Sequence, residues 1–158
     1  GSTTLNSVAP EDIKSAVEEA WLAAQSAAPD EAEGIAELQE NVSFLAGDEQ
    51  PDLEAMYGQL DQLLKDVRQD FPKISFDSIG IEHNFGEKLY ANTNGVRLSD
   101  RRGTYQLSNM FMAKEEGKTS SFNYFATVSE NPADRVCEEN RVRRLLDESQ
   151  RQIVTEQF

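Results

Sequence analysis

Histidine and cysteine are almost missing from this 158-residue chain, which has one of each, His83 and Cys137. A lone cysteine closes no intramolecular disulfide and fits a reducing cytoplasm. A lone histidine excludes any two-histidine metal motif within the chain and leaves one imidazole at most for a catalytic triad. Bases are scarce too: 15 Lys and Arg stand against 29 Asp and Glu, for a net charge of −14 and a pI near 4.4. Nucleic acid is therefore not an expected partner, because phosphate contacts need a basic surface. No long apolar run occurs, so neither a membrane span nor a signal segment is expected. The glycines Gly80, Gly86 and Gly95 lie too far apart for a phosphate-cradling loop.

The charge is concentrated in one half. Residues 1–70 hold 16 acids and 3 bases, whereas 71–158 hold 13 and 12. The acidic half has helical periodicity. Pro10, Glu11 and Asp12 suit a first turn, and Ile13, Val17, Trp21 and Ala24 fall on one stripe of a helix over 10–28 that stops at Pro29. Acids dominate 29–50, with few apolar anchors, and predict a mobile surface loop. A second helix over 51–70 carries Leu53, Met56, Leu60, Leu64 and Val67 and closes before Pro72. Trp21, Leu60 and Leu64 are the residues expected to hold these two helices on the rest of the fold.

Beyond Pro72 the period changes to 2 and β-branched and aromatic residues take over. Strands are predicted over 74–82 and 88–93, with a hairpin around His83 and Gly86 between them. A turn at Asn94-Gly95 follows, with a short extension over 96–99 and then strands over 104–114 and 118–130, reversing at Glu115-Glu116-Gly117. The connections are too short for crossover helices, so the strands form an antiparallel meander. Asn131 and Pro132 then open a helix over about 133–155. The expected fold is α+β: a meander of about four strands (74–130) packed with two N-terminal helices and a C-terminal helix, in a single domain.

Few residues suggest chemistry by themselves. His83, between Glu82 and Glu87, has no second imidazole to join in holding a metal. Asp48, Glu49, Asp52 and Glu54 are most simply solubility charges. Asn92 to Gly95 has the composition of a turn, Lys88, Arg97, Arg101 and Arg102 that of a solvated basic rim, and Cys137 that of a core or boundary thiol. The triplet Asn41-Val42-Ser43 matches a glycosylation sequon but follows no secretory signal.

The stretch from Leu89 to Asp134 resembles the N-terminal domain of the TldD/PmbA family. The resemblance rests on a strand ending in a turn at Asn92 to Gly95, a Ser/Thr-containing strand over 104–113, a reversal at Glu116-Gly117 and a strand over 120–127 rich in Ser and aromatics. It implies kinship with zinc metallopeptidases, once described as modulators of DNA gyrase, that cleave small unfolded or modified peptides. The family's metal-bearing motif, H-E-x-x-x-H, is absent here, so zinc, if the parent protein holds it, is implied to sit in a C-terminal part outside this chain. The resemblance thus implies a non-catalytic fragment of a longer chain that docks a flexible peptide and shapes a homo- or heterodimer. Its peptide-contacting residues are expected at Asn92, Asn94, Gly95, Ser120, Asn123 and Tyr124. The competing expectation is a non-enzymatic acidic module that attracts a basic protein partner.

Overall fold

The computed structural model describes residues 1–37, 41–134, 136 and 139–153. Two compact units emerge, Gly1–Glu37 and Leu38–Phe158, where a single domain is expected from the sequence. The first contains helix α1 (Pro10–Ser26), which has Pro10 at its start and Glu11 and Asp12 in its first turn. None of its residues is buried, and Trp21 is 64% exposed. The assignment of Trp21 to the core is thus corrected: its stripe of alanines and branched residues has the right helical spacing, but spacing does not supply a covering partner.

The second unit is a five-stranded sheet with two helices. Its elements are β1 (Ser43–Ala46), α2 (Leu53–Asp70), β2 (Ile74–Ala91), β3 (Arg97–Glu115), β4 (Lys118–Thr119), β5 (Asn123–Ser129) and α3 (Asn140–Arg151). Helix α2 starts where the Asp52 carboxylate accepts a hydrogen bond from the Ala55 amide at 3.0 Å, and it ends before Pro72. Strands β2 and β3 form one long antiparallel hairpin whose turn is Asn92 to Gly95. Asn92 Oδ1 accepts from the amides of Asn94 and Val96, and Gly95 sits at φ 88°. The predicted hairpin at His83 is therefore corrected. His83, Asn84, Phe85 and Gly86 continue β2 in register with Tyr105, Thr104, Gly103 and Arg102. Glycine inside a strand mimicked a turn signal.

Strand β3 is the centre of the sheet. One side is lined by β2, and the other is shared end to end by β1, opposite 99–102, and β5, opposite 105–111. The β1 pairing is parallel, so the sheet is mixed rather than a pure meander, and β1 lies inside the segment 29–50 that the sequence predicts to be loop. At the reversal into β4, Glu116 (φ 48°) and Gly117 (φ 81°) make a two-residue turn of positive φ.

Alternation along β3 decides what is buried. Tyr105, Leu107, Asn109, Phe111 and Ala113 face the helices, while Gln106, Ser108 and Met110 face away from them. The core joins Leu63, Val67 and Phe71 with Leu107, Phe111, Phe125, Val136, Val142 and Leu146, and Leu60 packs against it. Phe111 stands edge-on to both Phe76 and Phe125, with centroids 6.1 Å apart in each case. Helix α3 begins at Asn140, later than expected. Asn131 instead caps a local turn, its Oδ1 accepting from the Ala133 amide and its carbonyl from the Asp134 amide. Cys137 and the residues after 153 of the expected last helix lie outside the described residues.

Candidate functional site

Backbone supply along the sheet singles out β2. Among the described residues it pairs with β3 alone, so one whole side of an 18-residue strand carries unpaired amides and carbonyls. A bulge between Phe76 and Ser78 interrupts the ladder near its start, and beyond it residues 78–91 run in regular register. Bulges and charges protect sheet edges, and the long regular stretch has no bulge. The outer side of β5 is different: there the Arg141 guanidinium of α3 donates to the Ala126 carbonyl at 3.2 Å.

The middle of β2 is tied to the segment that follows β1. His83 Nε2 bonds the Asp48 carbonyl at 2.9 Å, and its ring packs on Tyr105 with centroids 4.8 Å apart. The Tyr105 hydroxyl donates to the Asp48 carboxylate at 2.7 Å and accepts from the Asp52 amide at 3.0 Å. Burial pushes the Tyr105 phenol above its ordinary value, and its hydrogen bond to Asp48 adds to the rise. The backbones of Gly47 and Gly103 touch so closely that a Cβ on Gly103 would lie 1.8 Å from the Asp48 carbonyl oxygen. Beside this knot, Arg101 bonds Glu49 at 2.8 Å and Arg102 bonds Glu130 at 2.7 Å. The cluster is a structural fastening, in which His83 and Tyr105 each bond Asp48 and Tyr105 also bonds the Asp52 amide.

The expected contact residues separate into two groups. Asn92, Asn94 and Gly95 form the tip of the β2–β3 hairpin. Ser120, Asn123 and Tyr124 lie around the β4–β5 junction, where Ser120 Oγ accepts from the Ala113 amide at 2.9 Å and Asn123 Nδ2 donates to the Ser121 carbonyl. Some 16 residues of β3 separate the two ends, roughly 50 Å at strand rise, so they do not form one site. Tyr124, 79% exposed, and Asn123 border an open groove of about 250 Å³ with Ser78, Ser108, Met110 and Phe122 on the face away from the helices. Gly80, Glu82 and Gly86 on β2 were missed by sequence reasoning. Their signal was glycine within a run of strand formers, which marks exposed backbone as readily as a turn.

Metal chemistry finds no donors arranged for it among the described residues: no three His, Cys, Asp or Glu side chains converge, and His83 is engaged with a carbonyl. No described helix is long and apolar enough to cross a membrane.

Comparison with known proteins adds a lineage to this geometry. The model of the PmbA/TldA metallopeptidase central domain matches residues 4–148. That description is of the central domain, which corrects the N-terminal position implied by the resemblance read in the sequence. Among solved structures, TldE from Thermococcus kodakarensis shares the fold over 94% of this chain at 14% identity and a TM-score of 0.57. This chain spans 33% of the TldE chain's length. No curated protein matches it.

Proposed function

Because the chain belongs to the PmbA/TldD metallopeptidase family, we propose that it is a non-catalytic docking domain, presenting the free edge of β2 to an extended, flexible peptide that a longer parent protein hydrolyses. The observation that carries this reading is the regular stretch of β2 over residues 78–91, whose outer edge pairs with no other strand among the described residues. Main-chain pairing at a sheet edge binds many sequences, since amides and carbonyls recur in every peptide, which suits substrates that are unfolded or modified. In this reading zinc is held by parts of the parent outside this chain, a second subunit of the same family completes the chamber, and the work is done in the cytoplasm.

The acidic interaction module remains the rival, supported by the 16 acids of residues 1–70. Salt separates the two. Ion-pair attraction is screened within about 10 Å at 0.1 M salt, whereas backbone pairing is nearly indifferent to it. Titration of a labelled flexible peptide at low and high salt, beside a proline-substituted copy that lacks the needed amides, is the test. Binding lost with proline and kept in salt supports strand addition. Binding lost in salt alone, with the proline copy bound equally well, overturns it in favour of the acidic module.

A further inference from the structure

A strand added to β2 lays its alternate side chains beside those of β2 itself. On the face away from the helices these are Gly80, Glu82, Asn84 and Gly86, paired across the ladder with Ser108, Gln106, Thr104 and Arg102. A Cβ placed on Gly80 or on Gly86 meets no atom within 4 Å, and neither glycine has positive φ. Each therefore leaves a notch at side-chain height, the two being about 20 Å apart at the strand rise. An aromatic ring on a neighbouring strand can cover such a glycine and restore the packing that the missing side chain forfeits. Glu82 stands between the notches, exposed, with no ion pair among the described residues. The nearby bases are committed elsewhere, Arg102 to Glu130 and Asp100, and Arg101 to Glu49 and Glu87.

We propose that this edge selects among extended peptides, favouring a seven-residue segment with aromatic side chains at its first and seventh positions and a lysine or arginine at its fifth. The spacing follows from antiparallel addition, the more stable of the two pairings. The first position then lies opposite Gly86, the third opposite Asn84, the fifth opposite Glu82 and the seventh opposite Gly80. The selectivity rests on the docking role proposed above and narrows it from any flexible peptide to a cationic, aromatic class. Each matched position contributes roughly two- to five-fold in affinity, the ordinary range for cross-strand pairs.

Fluorescence titration of the full chain with labelled heptapeptides tests it. The set comprises a peptide with phenylalanine at positions one and seven and lysine at five, versions with alanine at the aromatic positions or glutamate at five, a version with the lysine moved to position three, and a proline control. In the unaltered protein every departure from the pattern weakens binding. Glu82→Lys reverses the preference between lysine and glutamate at the fifth position, and Gly80→Val, which fills one notch, abolishes the preference for phenylalanine over alanine at the seventh. Both positions are open to solvent or to space, so neither change threatens folding, and an unchanged thermal midpoint verifies this. Equal affinity for all versions except the proline control overturns the selectivity while leaving strand addition standing. Failure of every peptide to bind overturns strand addition itself, and the selectivity with it.

Discussion

Asn109 is 6% exposed on the helix-facing side of β3, and neither its side-chain Nδ2 nor its Oδ1 has a hydrogen-bond partner among the described residues. An unpaired buried polar group costs about 1–3 kcal/mol. Asn109→Leu, close in volume and apolar, is therefore expected to stabilise the chain by about that amount. At ~2–4 °C per kcal/mol for a domain of this size, the rise is readable in a thermal melt. A fall in the midpoint would mean that the amide has a role the packing conceals. Tyr105 presents the opposite case, a buried hydroxyl with both its bonds made. Its phenol is raised by burial first and by the Asp48 hydrogen bond second. A raised folded-state value means that the folded chain holds the proton more tightly than the unfolded one. The resulting stability is complete below the ordinary value of about 10 and is lost as pH climbs through the folded value. Denaturation at successive pH values above 9 should show stability falling more steeply for the unaltered chain than for Tyr105→Phe. At neutral pH the same substitution costs about 1–2 kcal/mol, because Asp48 and the Asp52 amide lose their partner.

Among the elements, β1 is held by the least regular means. It has four residues, pairs with β3 in parallel, and depends on the approach of Gly47 and Asp48 to Gly103. Gly103→Ala places a methyl group where the Asp48 carbonyl stands, and an overpacking cost of about 1–3 kcal/mol follows. Urea denaturation should record the loss, and hydrogen exchange should find the amide of Ser99, bonded to the Val42 carbonyl, newly exposed. The same element shows where sequence reading stops. Helix α2 was legible because Pro72 closes it and its apolar residues recur at helical spacing. Strand β1 was not, since Ser-Phe-Leu-Ala among acids is too short to establish a period of 2, and its pairing depends on residues some 56 positions away. Strand β2 was divided in two because Gly86 and the polar residues before it have turn composition. Only the continuous ladder to β3 overrides that local preference. For the candidate site, turn and strand chemistry at Asn92 to Gly95 and at Asn123 and Tyr124 was visible, but the length of β3 between them was not, and the free edge of β2 is a property of topology that no single residue announces.

In the whole molecule, the buried cluster is drawn entirely from the second compact unit, while α1 buries nothing. A chain truncated to residues 38–158 should therefore retain cooperative unfolding with a thermal midpoint within about 3 °C of the full chain, about the shift that ~1 kcal/mol produces at this size. A broad, non-cooperative melt would show that the first unit is required for the fold. The truncation also removes eight of the chain's 29 acids, those in residues 1–37.

The arrangement of β3 between unlike neighbours also gives the chain a timetable. Its hairpin with β2 closes from the tight turn at Asn92 to Gly95 and lengthens by adjacent pairs, each addition enclosing only slightly more chain than the last. Hairpins of this kind form within microseconds. The parallel pairing of Ser43 with Ser99 has no such ladder to climb: it must close a span of 56 residues that contains a whole helix and a whole strand. Non-local closures of this sort are the slow ones. The hairpin is accordingly an early event and the arrival of β1 a late one. Until that arrival, the first part of β3 is bare on the side that β1 will cover, and a growing polypeptide has two adhesive borders to keep from its neighbours instead of one.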